Sequence, residues 1–303
     1  MIQYLNPANQ RFLSDIQRTQ RKQSNAEAAI SSGLKVRVAS DDPDHIDILL
    51  ATRGELQKAK QIKNNLDQFK TEVDTAEVTL QSAVKSLERA RTLGTQGLND
   101  AAASNQRPIL ATEVEAILTQ LVSASRASVQ GRYIFSGDTD QAAPYTVDLT
   151  AANGVAAYTG SLTSTRVAEN TDGVRFKIAQ TADQIFDNAT PEKSVFGAVN
   201  ALRLALANND TTAIQSALAN VQTSAEHLNN QLAFYGTAQG QITTAIDQGN
   251  RRQLSLRSQI SQIEDADLPE SILELNQSKI ALDAAFQAHS LLPRKSLFDY
   301  LFG

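Results

Sequence analysis

The chain has 303 residues and a formal net charge of −5, with no Trp, no Cys, a single Met and aromatics at 5% of residues. A mildly acidic chain lacks the basic surface that neutralises phosphates, so no nucleic-acid partner is expected. Without cysteine there is no disulfide framework and no thiol-based metal or redox site. So few aromatics, with Ala, Leu, Ile, Gln, Ser and Thr in their place, suit narrow helix–helix seams better than a broad globular core.

The opening, Met1-Ile2-Gln3-Tyr4-Leu5-Asn6-Pro7, shows no basic segment followed by an apolar run, so a Sec-type signal peptide is not expected. No apolar stretch is long enough to cross a bilayer, and membrane insertion is not expected either. Residues 7–32 carry Phe12, Ile16, Ala26 and Ile30 at helical seam positions, with Thr19 and Gln23 interrupting the stripe. The prolines stand at 7, 43, 108, 144, 191, 269 and 293, leaving 44–107 and 192–268 free of them. Proline removes a backbone donor and clashes with the preceding turn, so these gaps have room for two very long helices.

Apolar spacing fills both gaps. In the first, Ile62, Leu66, Phe69, Val73, Ala76, Leu80, Ala83, Leu87 and Ala90 follow alternating steps of four and three, which is a heptad seam. A helix of about 50 residues would be roughly 75 Å long. Residues 108–130 carry Leu110, Val114, Ile117, Leu121 and Ala124, with Pro108 suited to a first turn.

From Tyr133 to about Thr190 the pattern changes. Tyr133-Ile134-Phe135, Tyr145-Thr146-Val147, Val155-Ala156-Ala157-Tyr158 and Val174-Arg175-Phe176-Lys177-Ile178 are separated by Gly137, Asn153-Gly154, Gly160 and Asp172-Gly173. Short β-branched and aromatic runs bounded by Gly and Asn predict strands and tight turns.

The second long seam runs through Ile214, Leu218, Val221, Ala225, Leu228, Leu232, Tyr235, Gln239, Ile242, Ile246, Gly249, Gln253, Leu256, Ile260 and Ile263. Its exceptions, Gln239, Gly249 and Gln253, mark either a looser seam or a site of register control. A last helix over about 269–291 carries Ile272, Leu275, Leu282 and Phe286, widened by Leu273 and Ile280. The expected fold is therefore mainly α with a small β insert. An N-terminal arm (1–132) pairs antiparallel with a C-terminal arm (193–303) in a long coiled-coil bundle, and the insert (133–192) sits at the far end. The amphipathic chain ends remain for neighbours.

Catalytic chemistry is not visible. His45, His227 and His289 are scattered and lack metal-ligand spacing. Asp41-Asp42-Pro43-Asp44 suits a helix N-terminus, where carboxylates accept free backbone N–H groups. Asp138-Thr139-Asp140 lacks the Gly and Glu of a calcium loop and suits a turn. Arg53, Lys58, Lys60 and Lys63, interleaved with Glu55, suit a solvated helix face, as does Glu88-Arg89-Ala90-Arg91. Phosphate-cradling and nucleophile-elbow motifs are lacking. No enzyme activity, catalytic residue, cofactor or metal is expected.

Two motifs resemble the flagellin family. Ile30-Ser31-Ser32-Gly33-Leu34-Lys35-Val36-Arg37-Val38-Ala39-Ser40-Asp41-Asp42 is similar to its N-terminal signature, and Ile260-Ser261-Gln262-Ile263-Glu264-Asp265-Ala266-Asp267 to its C-terminal one. Leu228-Asn229-Asn230-Gln231-Leu232-Ala233-Phe234-Tyr235-Gly236 also has the family's look. The resemblance covers about 1–140 and 190–303. Within the family, Pro43 after the aspartates, Tyr133-Ile134-Phe135-Ser136-Gly137 followed by Pro144-Tyr145, and Ser296-Leu297-Phe298-Asp299-Tyr300-Leu301 resemble the branch that joins hook to filament. They are less like flagellin, the bulk filament subunit. Ile2 lacks the basic neighbour usual in the family.

The resemblance implies an extracellular structural subunit of the bacterial flagellum, exported without cleavage through the flagellar type III export apparatus. It implies a homo-oligomeric ring at the hook–filament junction, between hook-associated protein 1 and the first flagellins. Seam residues between the arms would be Ile62, Leu66, Phe69, Val73, Leu80, Leu87, Leu218, Val221, Leu228, Leu232, Ile242, Ile246, Leu256, Ile260 and Ile263. Phe12, Ile16, Ile30, Ile272, Leu275, Leu282 and Phe286 would meet neighbouring subunits and an export chaperone. Ends with interrupted stripes would stay disordered in the monomer and fold when neighbours bury them. A soluble coiled-coil scaffold or signalling rod is the reading from another class. The β insert and the lack of a membrane segment speak against it.

Overall fold

The computed structural model describes residues 7–99 and 105–290. Seven α-helices are described: α1 (Pro7–Ser32), α2 (Ile46–Leu98), α3 (Arg107–Ser125), α4 (Ala182–Phe186), α5 (Val195–Ala207), α6 (Thr211–Glu264) and α7 (Leu268–Ser290). Among the described residues, four short strands make two antiparallel hairpins, β1 (Ser128–Val129) with β2 (Arg132–Tyr133), and β3 (Val167–Glu169) with β4 (Arg175–Lys177). The protein is mainly α with a small β insert, in line with the seam periodicity. It divides into two compact units, one of residues 1–57 with 254–303 and one of residues 58–253. This packing division runs across the long helices, whereas the sequence pattern divides the chain at 132 and 192.

In the larger unit, α2 and α6 run antiparallel. Arg91 Nη1 donates to Gln222 Oε1 (2.7 Å), Gln239 Nε2 to Asp74 Oδ1 (2.7 Å) and Gln253 Nε2 to the Ala59 carbonyl (3.4 Å). The partners retreat along α6 as they advance along α2, so the register holds over the whole stretch. Two of the polar interruptions in the second seam are thus hydrogen bonds between helices. A polar pair inside an apolar seam costs some stability and penalises slipped registers, which favours register control over a looser seam. The third, Gly249, is buried with Thr171 beside it, the Thr171 Cγ2 lying 3.7 Å from where a Cβ would stand.

The seam continues into a core in which Leu80, Leu87, Leu228 and Ile242 are fully buried. Where the insert meets the helices, the few aromatics gather. Phe135 packs edge-on against Phe186 and Tyr235 at 5.8 and 6.1 Å, and Tyr145 against Phe196 at 5.1 Å. These rings each bury a large area, and they fill the junction of insert and helices where the narrow seams do not reach.

Ion pairs clasp the insert to α2. Arg166 reaches Glu72 Oε2 at 3.0 Å and Asp140 Oδ2 at 2.9 Å, and Arg132 reaches the same Asp140 oxygen at 2.6 Å. Asp138 accepts from the backbone N–H and hydroxyl of Thr165. The Asp138-Thr139-Asp140 turn therefore ties distant segments together. The β3–β4 hairpin lies along α6, where Asn170 Nδ2 reaches Gln248 Oε1 (3.4 Å).

The proline-free stretch after 192 is two helices. Asn209 adopts φ 58° between them, and Asp210 Oδ1 accepts from the Ala213 N–H to start α6. Asn tolerates the left-handed region and Asp is a good N-cap, so Asn208-Asn209-Asp210 breaks the helix without proline. α3 stops at Ser125, short of residue 130, because Ala127 to Ile134 form the first hairpin. The runs at 145–147 and 155–158 make one isolated bridge, Val147 with Val155, and no ladder. Tyr145 and Val155 are drawn into the core, and local turn bonds such as Asp148 N–H to the Gly154 carbonyl satisfy the backbone.

Candidate assembly site at the terminal helices

The smaller unit brings together the two motifs that flank the terminal helices. Gly33, with φ 74°, ends α1, and its N–H donates to the Ala29 carbonyl at 2.8 Å. A side chain in this left-handed conformation would be strained, so glycine is the fitting residue. The turn it makes sends Leu34 alongside Asp265 in an antiparallel bridge. The Lys35 N–H donates to the Glu264 carbonyl (2.8 Å), and the Ala266 N–H to the Gly33 carbonyl (2.9 Å). Lys35 Nζ reaches the Gln262 carbonyl, and Arg53 pairs with Glu264 Oε1 at 2.8 Å. Arg53, expected on a solvated face, is thus a tie to the second motif.

The aspartates hold the loop before α2. Asp41 Oδ2 accepts from the N–H groups of Arg37 and Val38, and these bonds hold its carboxyl below the usual range. Asp42 accepts from the His45 ring and N–H, and the ring contact likewise lowers its pKa. His227 Nε2 lies 2.9 Å from the Gln184 carbonyl, and His289 stacks on Phe12 at 4.2 Å between centroids. Among the described residues no group of three or more His, Asp or Glu side chains could hold a metal ion, and no helix is long and apolar enough to cross a membrane.

The terminal helices pack on each other. α1 lies against α7, with Ile16, Ala26, Ser278 and Leu282 buried and Lys22 approaching Glu274 at 3.8 Å. The sequence stripes, which name no partner, are expected to meet neighbouring subunits, whereas here part of each stripe is covered within the chain. Of the residues expected at subunit contacts, Ile16 and Leu282 are buried, Phe12, Ile30 and Leu275 half-buried, and Ile272 and Phe286 exposed. With Leu273 and Ile280 they leave four large apolar side chains of α7 about half exposed or more (48–69%). Of the residues expected in the seam, Leu66, Val73, Leu80, Leu87, Val221, Leu228, Ile242 and Leu256 are buried. Ile62, Phe69, Leu218, Leu232, Ile246, Ile260 and Ile263 are half-buried. The Ser296–Leu301 segment and the opening Met1–Asn6 lie outside the described residues.

The fold and site define a long-helix protein whose first and last described helices, α1 and α7, pack in one unit and whose middle carries a small β insert. The model of the bacterial flagellin N-terminal helical region matches residues 3–140, and that of the C-terminal helical region residues 218–301. Together these cover most of the chain, which belongs to the bacterial flagellin family. It is 27% identical over 298 residues to flagellar hook-associated protein 3 of Salmonella typhimurium, covering 89% of this chain and 90% of that one. Among solved structures, a putative flagellar hook-associated protein from Vibrio parahaemolyticus matches with a TM-score of 0.66 and 20% identity, over 74% of this chain and all of that one. Flagellar hook-associated protein-3 from Legionella pneumophila matches with a TM-score of 0.62 and 16% identity, over 72% and 98%. The structural likenesses establish the shared fold.

Proposed function

We propose that this chain is a non-catalytic structural subunit of the bacterial flagellum that joins hook to filament. It assembles into a homo-oligomeric ring through its terminal helices, with hook-associated protein 1 on one side and flagellin on the other. The relatives named for hook association support the place. The observation that carries the mechanism is the apolar face of α7 that α1 does not cover, Ile272, Leu273, Ile280 and Phe286. Burying one such side chain contributes about 1.5–3 kcal/mol, so a neighbour covering the face would be held firmly. An export chaperone covering the same stripe would keep subunits apart until they leave the cell, and passage through the type III apparatus would need no cleaved signal peptide.

A deletion strain tests the place in the assembly. It should build hooks, lack filaments and release unpolymerised flagellin into the medium, because a connector is not needed to make or export flagellin. A deletion strain that still grows filaments would refute the proposal. So would one whose medium holds no flagellin, since that is the outcome for loss of the bulk subunit.

A further inference from the structure

The β3–β4 hairpin is a sheet of two strands, so each strand has a free edge. Its register settles which backbone groups lie there. The Asn170 N–H donates to the Val174 carbonyl (3.0 Å) and the Ile178 N–H to the Arg166 carbonyl (3.5 Å). These pairs, and Ala168 with Phe176 between them, bond across the ladder, because bonded and non-bonded pairs alternate in an antiparallel sheet. Val167 and Glu169 on β3, and Arg175 and Lys177 on β4, therefore turn their N–H and C=O groups outward. Among the described residues no other segment bonds these groups. A row of unpaired backbone groups is a template for another strand.

The side chains decide which strand fits. Val167, Glu169, Arg175 and Lys177 share one face of the hairpin, while Ala168 is buried and Phe176 half-buried on the other. Arg175 gives Glu169 its Nε alone (2.7 Å), and its side chain is 71% exposed, so the rest of the guanidinium is left for a second carboxylate. Lys177 makes no ion pair among the described residues. The β4 edge thus carries two cations, and the β3 edge a carboxylate and a valine. Two β4 edges together would oppose cations, and two β3 edges would oppose carboxylates. β4 against β3 sets unlike charges side by side. Charged edges often serve to prevent pairing, and Arg175 and Lys177 do so against a like edge; Glu169 on the opposite edge makes the exclusion selective. A joint between two different edges repeats head to tail, and closes into a ring where the rotation allows.

We infer that the β4 edge of one copy pairs antiparallel with the β3 edge of the next, continuing the sheet from copy to copy. Arg175 then stands beside the next copy's Glu169, and Lys177 beside the next copy's Val167. The inference rests on the ring reading above and adds to it a joint in the larger unit.

The chain has no cysteine, so single cysteines report the joint. Full chains carrying Val167→Cys are mixed at millimolar concentration with full chains carrying Lys177→Cys and oxidised, and disulfide-linked dimers are followed on a non-reducing gel. Residues opposite each other across such a joint lie about 5.5 Å apart at Cα, within disulfide reach. The mixture should cross-link about tenfold faster than either variant alone. Glu169→Lys combined with Arg175→Glu reverses the ion pair inside the hairpin and keeps it. Introduced into one of the two mixed chains, this reversal should bring cross-linking down to the level of the single variants; introduced into both, it should restore the rate. The inference is overturned if the mixture cross-links no faster than the single variants, or if the one-sided reversal changes nothing. The joint is read in solution, apart from the flagellum. A joint that forms while the deletion strain still grows filaments keeps this inference and removes the junction reading, and the converse result removes this inference alone.

Discussion

Replacing Arg166 by Met removes the guanidinium that joins the insert to α2 and keeps most of its apolar stem. The side chain is 10% exposed, and its partners Glu72 and Asp140 are 16% exposed, so all three charges have given up most of their water. Breaking a well-buried pair by removing one partner costs about 3–5 kcal/mol, because the other charge stays buried and alone. Here Asp140 keeps Arg132, and both carboxylates keep some solvent, which lowers the expectation to about 2–3 kcal/mol. Glu72→Gln alone should cost about 1 kcal/mol, and the double variant should reveal about 1–2 kcal/mol of coupling. Urea unfolding followed by circular dichroism at neutral pH measures all three. Partial burial pushes the Asp140 carboxyl up, but bonds from Arg132 and Gln141 and the two guanidinium charges outweigh it and hold the pKa low. A lowered carboxylate contributes stability above the ordinary range and loses it as pH falls through its depressed folded value, so the gap between parent and variant should narrow in acid. If Arg166→Met unfolds within about 0.5 kcal/mol of the parent, as an exposed pair would, the clasp does not hold the insert.

Leu228 is fully buried, so Leu228→Ala should lose about 3–4 kcal/mol in the same assay; a loss below about 1 kcal/mol would remove it from the core. At Gly33 a Cβ would touch nothing within 4 Å, so Gly33→Ala should cost only the left-handed backbone strain, about 1–2 kcal/mol, read from thermal melts. An unchanged melting temperature would contradict that. Burial and the nearby Asp187 charge raise the pKa of Asp183, so its ionised form is a burden once pH exceeds the folded value and none below the ordinary range. Asp183→Asn should therefore stabilise the protein at neutral pH, with the gain vanishing in acid; equal gain at both would show that charge is not the cause.

Much of this was legible because helical seams repeat. Leu66 to Leu87 and Leu218 to Ile263 announce two long helices by spacing alone, and Gln239 and Gln253 stand out only because the repeat around them is regular. α5 was hidden because its boundary is made by Asn209 in the left-handed region, a weaker signal than proline. The runs around Tyr145 and Val155 have strand composition, but their side chains are needed in the aromatic core, and tertiary packing overrides β propensity. The pairing of α1 with α7 could not be read from their stripes, since an amphipathic face states that it has a partner and not which one. The meeting of the two motifs carried a signal that spacing missed: Gly33 ends one terminal helix, and Glu264 and Asp265 stand just before the other.

Locating the chain on intact flagella tests the central claim most directly. Gold labelling of a tagged chain, viewed by electron microscopy, should place it in one narrow band where hook meets filament. Label distributed along the length of the filament would contradict the junction role.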